Sequence, residues 1–271
     1  EMHCQFLEAG SDIIETNTFG SSPAGLEDFG LVHLVEELNT RAVECAREAA
    51  DRYTSLTPEK PRFVAGSIGP TTQTASISPR VEDPGYRSIT FDQHVDSYYQ
   101  QVSSLVRAGV DILFPETTFD TLNLKACLFA IEKYFEDEGI RIPVMASVTI
   151  TDEAGRTLSG QTIEAFWNSV SHANLLSIGI NCALGPASMR PYVEELSRIA
   201  PTYTSCHPNA GLPNEFGGFD ESAEEMAESM QEFVDNGWVN IVGGCCGTTP
   251  EYIRRFAALI EDRSPRSLPV P

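Results

Sequence analysis

The sequence predicts an α/β fold built around parallel β-strands. Short apolar runs alternate with amphipathic, helix-like segments along the whole chain, and each run turns polar or glycine-rich at its C-terminal end. Strands that are buried on both faces and separated by crossover helices form parallel sheets. The 271 residues, of which 41% are hydrophobic, are enough for one large domain of this class or for two small ones.

Seven strands and the helices between them can be placed in order. The strand-like runs are residues 12–19, 62–69, 111–118, 143–150, 176–183, 203–210 and 240–246. The clearest helix-like segments are residues 35–53, 91–110, 189–200, 224–237 and 249–262. In residues 91–110, apolar side chains recur close to the helical period. Gly109, Gly139 and Gly237 each follow an amphipathic segment, where glycine commonly caps a helix.

Two closures of the sheet fit this order, an open doubly wound sheet and a (β/α)8 barrel. No GxGxxG motif follows an early strand, which weakens the dinucleotide-binding version of the open sheet. Residues 1–10 look like the last turns of a helix, so the chain is expected to be a TIM-type barrel that lacks its first strand. The predicted domain is residues 1–262, truncated at its N-terminus. Residues 263–271, with three prolines in the last seven positions, are expected to be an exit linker.

The net charge narrows the possible partners of the protein, and its cysteine usage narrows the possible cellular compartment. The 18 basic and 39 acidic residues give a formal charge of −21, which repels phosphate backbones and anionic lipids, so nucleic-acid and membrane partners are not expected. The sequence has no signal peptide and no apolar stretch long enough to cross a bilayer. Seven irregularly spaced cysteines argue against a disulfide framework and for a reducing compartment, and we predict a cytoplasmic protein.

Adjacent thiols in the segment NIVGGCCGTTP are the strongest indication of function. Cys245 and Cys246 end one predicted strand, and Cys182 ends the strand two units earlier. In a barrel, the C-terminal ends of the strands gather on one rim, so the three thiols would converge there. Three thiolates can occupy three corners of a tetrahedron about Zn²⁺ and leave the fourth open, as catalytic zinc sites require.

The neighbouring glycines give the adjacent cysteines a physical explanation. Successive side chains of a regular strand point to opposite faces, so two neighbouring cysteines need a sharp turn to reach one ion. Gly243, Gly244 and Gly247 are expected to allow that turn. With three thiolates around Zn²⁺, the site carries a formal charge of about −1. A substrate thiol at the open position would be deprotonated and stay nucleophilic, which suits alkylation of sulfur better than hydrolysis.

Other roles for the cysteines stay open on sequence alone. The Cys245–Cys246 pair could be two small buried residues or a redox pair, although a vicinal disulfide is strained. Cys206 is interpreted as a packing residue, and its neighbour His207 is disfavoured as a ligand. The remaining cysteines lie in helix-like segments and are expected to be buried or half-buried; they are Cys4, Cys45 and Cys127.

Polar residues at three further strand ends are candidate substrate contacts. Glu116 could hold the ammonium group of an amino-acid substrate, or it could form an ion pair with a neighbouring loop. Asn17 and Asn209 could orient a carboxylate or support the site from behind, and each could equally be a turn former. No catalytic side chain is predicted beyond the zinc site.

Six segments are specific enough to indicate a family: IIETNTF, TASISP…ITFD, RTLSGQT, GINCALGP, HPNAGLPN and NIVGGCCGTTP. With them, nearly the whole chain resembles the homocysteine-binding domain of cobalamin-dependent methionine synthase. The wider family includes stand-alone homocysteine S-methyltransferases and betaine–homocysteine methyltransferases. The segments ISPRVEDPGYRSITFD and TDEAGRTLSGQTIEAFWNS resemble the cobalamin-dependent branch more than the others.

The resemblance implies a (β/α)8 barrel in which Cys182, Cys245 and Cys246 hold Zn²⁺ and the sulfur of homocysteine takes the fourth position. It implies that the homocysteine thiolate attacks methylcobalamin to give methionine and cob(I)alamin, with Glu116 near the amino-acid end. Cobalamin-binding and folate-binding modules would lie elsewhere in the same chain or in a partner chain. Members of the family begin with a strand that carries a DGAMGT-like loop, which this chain lacks, so part of the substrate pocket is expected to be missing.

Three functions are compared on this basis. The favoured one is a methyltransferase of the 5-methyltetrahydrofolate–homocysteine type, which activates homocysteine for methyl transfer from methylcobalamin. The second is a stand-alone homocysteine S-methyltransferase that uses S-methylmethionine or betaine. The third is a zinc-binding fragment without catalytic activity.

Overall fold

Helices and parallel strands alternate throughout the chain, in a computed structural model that describes residues 1–152 and 154–269. The elements in chain order are α1 (Met2–Glu8), β1 (Ile13–Glu15), α2 (Pro23–Leu26), α3 (Val35–Leu56), β2 (Phe63–Ile68), α4 (Phe91–Ala108), β3 (Ile112–Pro115), α5 (Thr121–Glu138), β4 (Met145–Val148), α6 (Ile163–Val170), β5 (Ser177–Asn181), α7 (Pro186–Ile199), β6 (Tyr203–His207), α8 (Ala223–Asp235), β7 (Ile241–Val242) and α9 (Pro250–Ile260). They belong to two units. The first unit is residues 12–144; the second is residues 1–11 together with the residues from 145 onward.

The first unit is a parallel sheet in the order β1-β2-β3 with helices packed beside it. Helix α4 packs against α3 and α5. Fully buried apolar residues lie on α3 and α4, including Val43 and Val102. Thr90 and Gln93 form a reciprocal capping box at the start of α4. The predicted C-terminal cap is also present, because Gly109 has φ of 98° and its N–H bonds back to the last helical turn.

The second unit is a parallel sheet in the order β4-β5-β6-β7. The register pairs Asn181, at the end of β5, with His207, at the end of β6. Residues that follow these two strands therefore emerge at the same edge of the sheet. Helix α1 packs against α9, and a Cβ on Gly10 would lie only 2.7 Å from the Cβ of Ala257.

The predicted fold class is confirmed, with the alternation of helices and parallel strands found in TIM-type barrels. All seven predicted strands are present, but each is shorter than its apolar run. The C-terminal part of each run leaves the sheet and forms a loop. Helix α2 and two 3-10 turns, at Glu27–Phe29 and Val32–Leu34, had no clear signal in the sequence. None of the helices in the described ranges is both long and apolar enough to span a bilayer.

The predicted exit linker is tied to the second unit at Arg266. Residues 263–269 contain no helix or strand, as their prolines predict, and the last two linker residues, 270 and 271, lie outside the described residues. Arg266 is nevertheless only 5% exposed. Its guanidinium donates to the carbonyls of Ser197, Ala200 and Thr202 at 2.6, 2.7 and 2.8 Å. It thereby satisfies carbonyl groups around the C-terminal end of α7.

Candidate functional site

Three cysteine sulfurs meet at one place in the second unit. The Sγ of Cys182 lies 3.7 Å from that of Cys246, and the Sγ of Cys245 lies 4.0 Å from that of Cys246. All three sulfurs lie within 4.8 Å of one another. Sulfur ligands at the ~2.3 Å bond length of tetrahedral Zn²⁺ are about 3.8 Å apart. The structure thus brings together the three predicted thiols at separations that fit a tetrahedral metal site.

Cys182 reaches this place because the chain turns sharply at the end of β5. Cys182 and Ala183 both adopt left-handed backbone conformations, with φ of 63° and 60°. Such a conformation costs a non-glycine residue roughly 1–2 kcal/mol, so surrounding contacts must hold the turn. The N–H of Cys182 donates to the carbonyl of His207 at 3.0 Å, and the N–H of Leu184 donates to the carbonyl of Cys182 at 2.7 Å. The residue types in this turn do not predict it.

The glycines around the cysteine pair act mostly through close packing. Gly247 has a positive φ of 80°, which is the turn-forming role that the sequence predicts. Gly243 and Gly244 act differently. A Cβ on Gly243 would lie 2.8 Å from the His207 ring, and a Cβ on Gly244 would lie 2.4 Å from the Thr248 side chain. These two glycines let the cysteine loop lie against its neighbours.

Asn209 connects the two cysteine-bearing loops. Its Oδ1 accepts the N–H of Cys246 at 3.1 Å, and its own N–H donates to the carbonyl of Leu184 at 3.0 Å. The N–H of Cys245 donates to the carbonyl of Pro208, the residue before Asn209, at 2.8 Å. Asn209 is 4% exposed, so it supports the loops from inside the protein. A contact between Asn209 and substrate stays a prediction.

Contacts within the cluster shift the pKa values of Cys182 and Cys246 in opposite directions. The pKa of Cys182 falls to about 5, chiefly because Cys245 donates a hydrogen bond to its sulfur. The pKa of Cys246 rises because burial removes water from the thiol and because the nearby Cys182 thiolate repels a second negative charge. A soft cation would stabilise such a cluster, since coordination favours the thiolate form of every ligand.

The environments of the other cysteines and of His207 mostly agree with those that the sequence predicts. Cys206 is fully buried, with its Sγ 3.8 Å from the Sδ of Met189, so its packing role is confirmed. Burial lowers the pKa of His207 to about 4, which keeps the imidazole neutral at physiological pH. Cys127 is buried and Cys4 half-buried, as expected. The expectation for Cys45 was wrong, because its thiol lies on the exposed face of α3.

Glu116 and Glu15 form a pair of neighbouring carboxyl groups in the first unit. Glu116 follows β3 directly and is 8% exposed. The hydroxyl of Ser67, on β2, donates to its Oε1 at 2.5 Å. Glu15, at the end of β1, is exposed as a residue. The pKa of its carboxyl is nevertheless raised well above the ordinary value, by loss of water around the group, by the negative charge of Glu116 and by a hydrogen bond to Glu116. The polar residues at the strand ends predict Glu116 as a candidate substrate contact, but they predict no role for Glu15 or Ser67.

Asn17 lies two residues beyond β1 in an exposed position. The buried hydroxyls of Thr16 and Thr18 on either side of it are 2.6 Å apart, and Thr18 donates to the carbonyl of Ser67 at 2.7 Å. These contacts order the backbone on both sides of Asn17 and leave its side chain toward solvent. Its predicted role in substrate binding stays a prediction.

Glu15→Gln is expected to remove a pH-dependent loss of stability. The folded protein holds the Glu15 pKa above that of the unfolded chain, so the unfolded chain releases this proton first as the pH rises. Wild-type stability therefore falls above pH 4.5, the ordinary value of this carboxyl. Glutamine has no such proton, so the variant should gain stability relative to wild type as the pH rises above 4.5. Thermal unfolding without ligand across this range measures the difference.

The exposed Glu48, on α3, offers a matched control for this experiment. Glu48→Gln removes a carboxyl group away from Glu116, so the change in melting temperature caused by Glu15→Gln is compared with it at each pH. A difference between Glu15→Gln and wild type that stays constant over the same range would contradict the shared environment of Glu15 and Glu116.

Fold and site together define an α/β protein with a thiol cluster able to hold a metal ion at the ends of parallel strands. The chain matches the homocysteine S-methyltransferase family over residues 1–260. It belongs to that family, so the family resemblance seen in the sequence and the prediction of a methyltransferase are both confirmed.

Solved structures share this fold. The homocysteine methyltransferase MmuM from Escherichia coli, in its metallated form, is 21% identical with a TM-score of 0.74, and the match covers 95% of this chain and 82% of that chain. The oxidized form of the same protein gives 21% identity and a TM-score of 0.75 with the same coverage. The apo form gives 20% identity and a TM-score of 0.70, and the match covers 95% of this chain and 83% of that one. At these identities the likeness concerns the fold.

Proposed function

We propose that this chain activates homocysteine as a thiolate and transfers to it the methyl group of methylcobalamin, giving methionine. Cys182, Cys245 and Cys246 would hold Zn²⁺. The observation that carries the proposal is the convergence of three thiols, with sulfur separations of 3.7 and 4.0 Å, in a member of the homocysteine S-methyltransferase family.

The donor set supports zinc. Thiolate ligands select soft or borderline ions, and three sulfurs without a fourth protein ligand are typical of a catalytic site rather than a closed structural one. MmuM has been solved in a metallated form, which supports a metal in this family. When bound, Zn²⁺ supplies a Lewis acid that favours the thiolate form of an incoming substrate thiol.

The residues of the chain then prepare the ligands and hold their geometry. Cys182, with its lowered pKa, is available as a thiolate at neutral pH. Asn209 and the left-handed turn at Cys182 keep the two loops together, so little reorganisation is needed when the site fills. In the reaction, the homocysteine sulfur gives up its proton and forms a bond to the methyl carbon. The electron pair of the broken methyl bond stays with the donor.

The candidate partners of the amino-acid end of homocysteine stay those that the sequence predicts, with one addition. We assign the ammonium group to Glu116, with Glu15 as a second carboxylate. An ammonium group would form charge-assisted hydrogen bonds with these carboxyl groups and would offset the repulsion between them. Asn17 and Asn209 are assigned to the carboxylate of the substrate, as the sequence predicts.

The methyl donor is expected to arrive on a partner module. Cobalamin-binding and folate-binding modules would belong to the same polypeptide or to a second chain. The segments that resemble the cobalamin-dependent branch, ISPRVEDPGYRSITFD in particular, support this donor over S-methylmethionine or betaine. Reduced thiols at the site require a reducing environment, and we place the protein in the cytoplasm.

Metal content and zinc-edge X-ray absorption of the purified protein test the activation step. We expect equimolar zinc with three sulfur neighbours, and a fourth sulfur when homocysteine is added. Absence of zinc, or coordination that does not respond to homocysteine, would overturn the proposal.

Assays with methylcobalamin, S-methylmethionine and betaine as separate donors test the identity of the methyl donor. Methionine formed from S-methylmethionine without cobalamin would show that the donor assignment is wrong.

A further inference from the structure

Asn181 is a buried side chain beside the thiols that the proposed function leaves without a role. It is the last residue of β5 and is 1% exposed. Its Nδ2 lies 3.9 Å from the Sγ of Cys245, a hydrogen-bonding distance for sulfur. An amide N–H directed at a thiolate sulfur stabilises the negative charge on it.

Ser147 sets the orientation of the Asn181 amide. The Ser147 hydroxyl donates to Oδ1 of Asn181 at 2.6 Å. Since Oδ1 is turned toward this hydroxyl, the NH2 group is turned toward the sulfur. The reversed amide would place Oδ1 against the Cys245 sulfur, and two electron-rich acceptors would face each other. Ser147 is fully buried, so bulk water does not compete for the contact.

The sheet holds both side chains in place. Ser147 pairs with Gly179 in the parallel register of β4 and β5, and Asn181 follows two residues later on the same face of β5. Both side chains thus stand on strands rather than on loops. Rigid elements position supporting groups more accurately than loops do.

We propose that Asn181, held by Ser147, is a positioning residue of the metal site: its amide N–H orients the Cys245 thiolate and limits the electron density that this sulfur gives to a bound ion. The proposal rests on the proposed function, because it presupposes a metal held by the three cysteines. Hydrogen bonds to metal ligands commonly orient them and tune the ion. With less donation from Cys245, the ion polarises a substrate thiol more strongly.

The test uses Co²⁺ as a spectroscopic probe and Zn²⁺ for affinity, in the full chain. Asn181→Leu removes the N–H donor and keeps the branching at Cγ, and Ser147→Ala removes only the hydroxyl that orients the amide. Asn240→Leu is the matched control. Asn240 precedes β7, at the opposite end of that strand from the cysteines. Its side-chain amide accepts the N–H of Thr204 and donates to the carbonyl of Arg266.

Asn181→Leu should shift the thiolate-to-cobalt charge-transfer band to longer wavelength, because an unbonded sulfur gives up electron density more easily. Zinc affinity, measured by chelator competition, should nevertheless fall about tenfold, because the Cys245 sulfur is no longer held in position for the ion. Ser147→Ala should give a smaller shift in the same direction. Asn240→Leu should lower thermal stability and leave the cobalt spectrum unchanged.

Unchanged spectra and zinc affinity in folded Asn181→Leu and Ser147→Ala would overturn the proposal and reduce Asn181 to a packing residue. If Asn181→Leu does not fold, Ser147→Ala decides the matter by the same two measurements. A wild-type protein that shows no three-thiolate cobalt spectrum would instead overturn the proposed function, and this inference with it.

Discussion

Cys246→Ser is expected to weaken Zn²⁺ binding on the order of 1000-fold and to abolish methyl transfer. Structural zinc sites with four ligands bind with about 10–16 kcal/mol, so one ligand corresponds to roughly 2.5–4 kcal/mol, which at its upper end is about 1000-fold in affinity. Serine keeps the size of the side chain but offers a harder oxygen, which is a poor substitute for a thiolate. The two remaining sulfurs, on Cys182 and Cys245, would still be close together but would leave two positions of the tetrahedron to solvent.

Cys45→Ser is the matched control for this prediction. The Cys45 thiol is exposed on α3, so its loss should change neither zinc affinity nor activity. Chelator competition measures the affinity, and methionine formation from homocysteine and methylcobalamin measures the transfer. Wild-type zinc affinity in Cys246→Ser would remove this residue from the ligand set. Equal losses in both variants would point to general thiol chemistry instead of one metal site.

Arg266→Met is expected to lower the free energy of unfolding by about 3 kcal/mol, or the melting temperature by roughly 5–10 °C. Methionine retains the apolar stem, but it cannot donate to the three carbonyls of Ser197, Ala200 and Thr202. Buried carbonyls that lose their donor are costly. Desolvation lowers the pKa of Arg266, which shows that burying its charge has a cost that partly offsets these bonds.

Arg263→Met separates this effect from a general loss of charge in the same segment. Arg263 pairs with Asp235 at 2.7 Å, but both side chains are more than one third exposed, at 46% and 41%. Such surface pairs contribute about 0–1 kcal/mol. Thermal and urea unfolding of both variants give the comparison. Similar small losses in the two would mean that the segment after α9 does not stabilise the second unit.

Local periodicity was sufficient to predict the seven strands of this protein, but not their limits. The run at residues 240–246 is apolar enough to predict a strand, yet the ladder covers only Ile241–Val242. Just beyond Val242, the N–H of Gly243 still donates to the carbonyl of Cys206 at 3.1 Å, and a Cβ on Gly243 would lie only 2.8 Å from the His207 ring. These contacts join residues far apart in sequence, so no local pattern could indicate where the strand stops.

The residues of the candidate site were likewise predictable only in part from the sequence. Cys182, Cys245 and Cys246 stand out because thiols at the ends of predicted strands have few other uses, and the order of parallel strands predicts that such ends converge. Asn181 and Ser147 gave no comparable signal. An asparagine beside a cysteine has many roles, and the contacts of Asn181 with Ser147 and Cys245 join residues 34 and 64 positions apart in the sequence.

By itself, the sequence determined the fold class, the order of strands and helices, the family and the three thiols, since hydrophobic period and residue chemistry are local properties. The tertiary structure decided how far apart the sulfurs lie, that Glu15 and Ser67 accompany Glu116, and that Arg266 anchors the segment after α9. Each of these depends on the register between strands and on burial, which arise only when distant parts of the chain exclude water together.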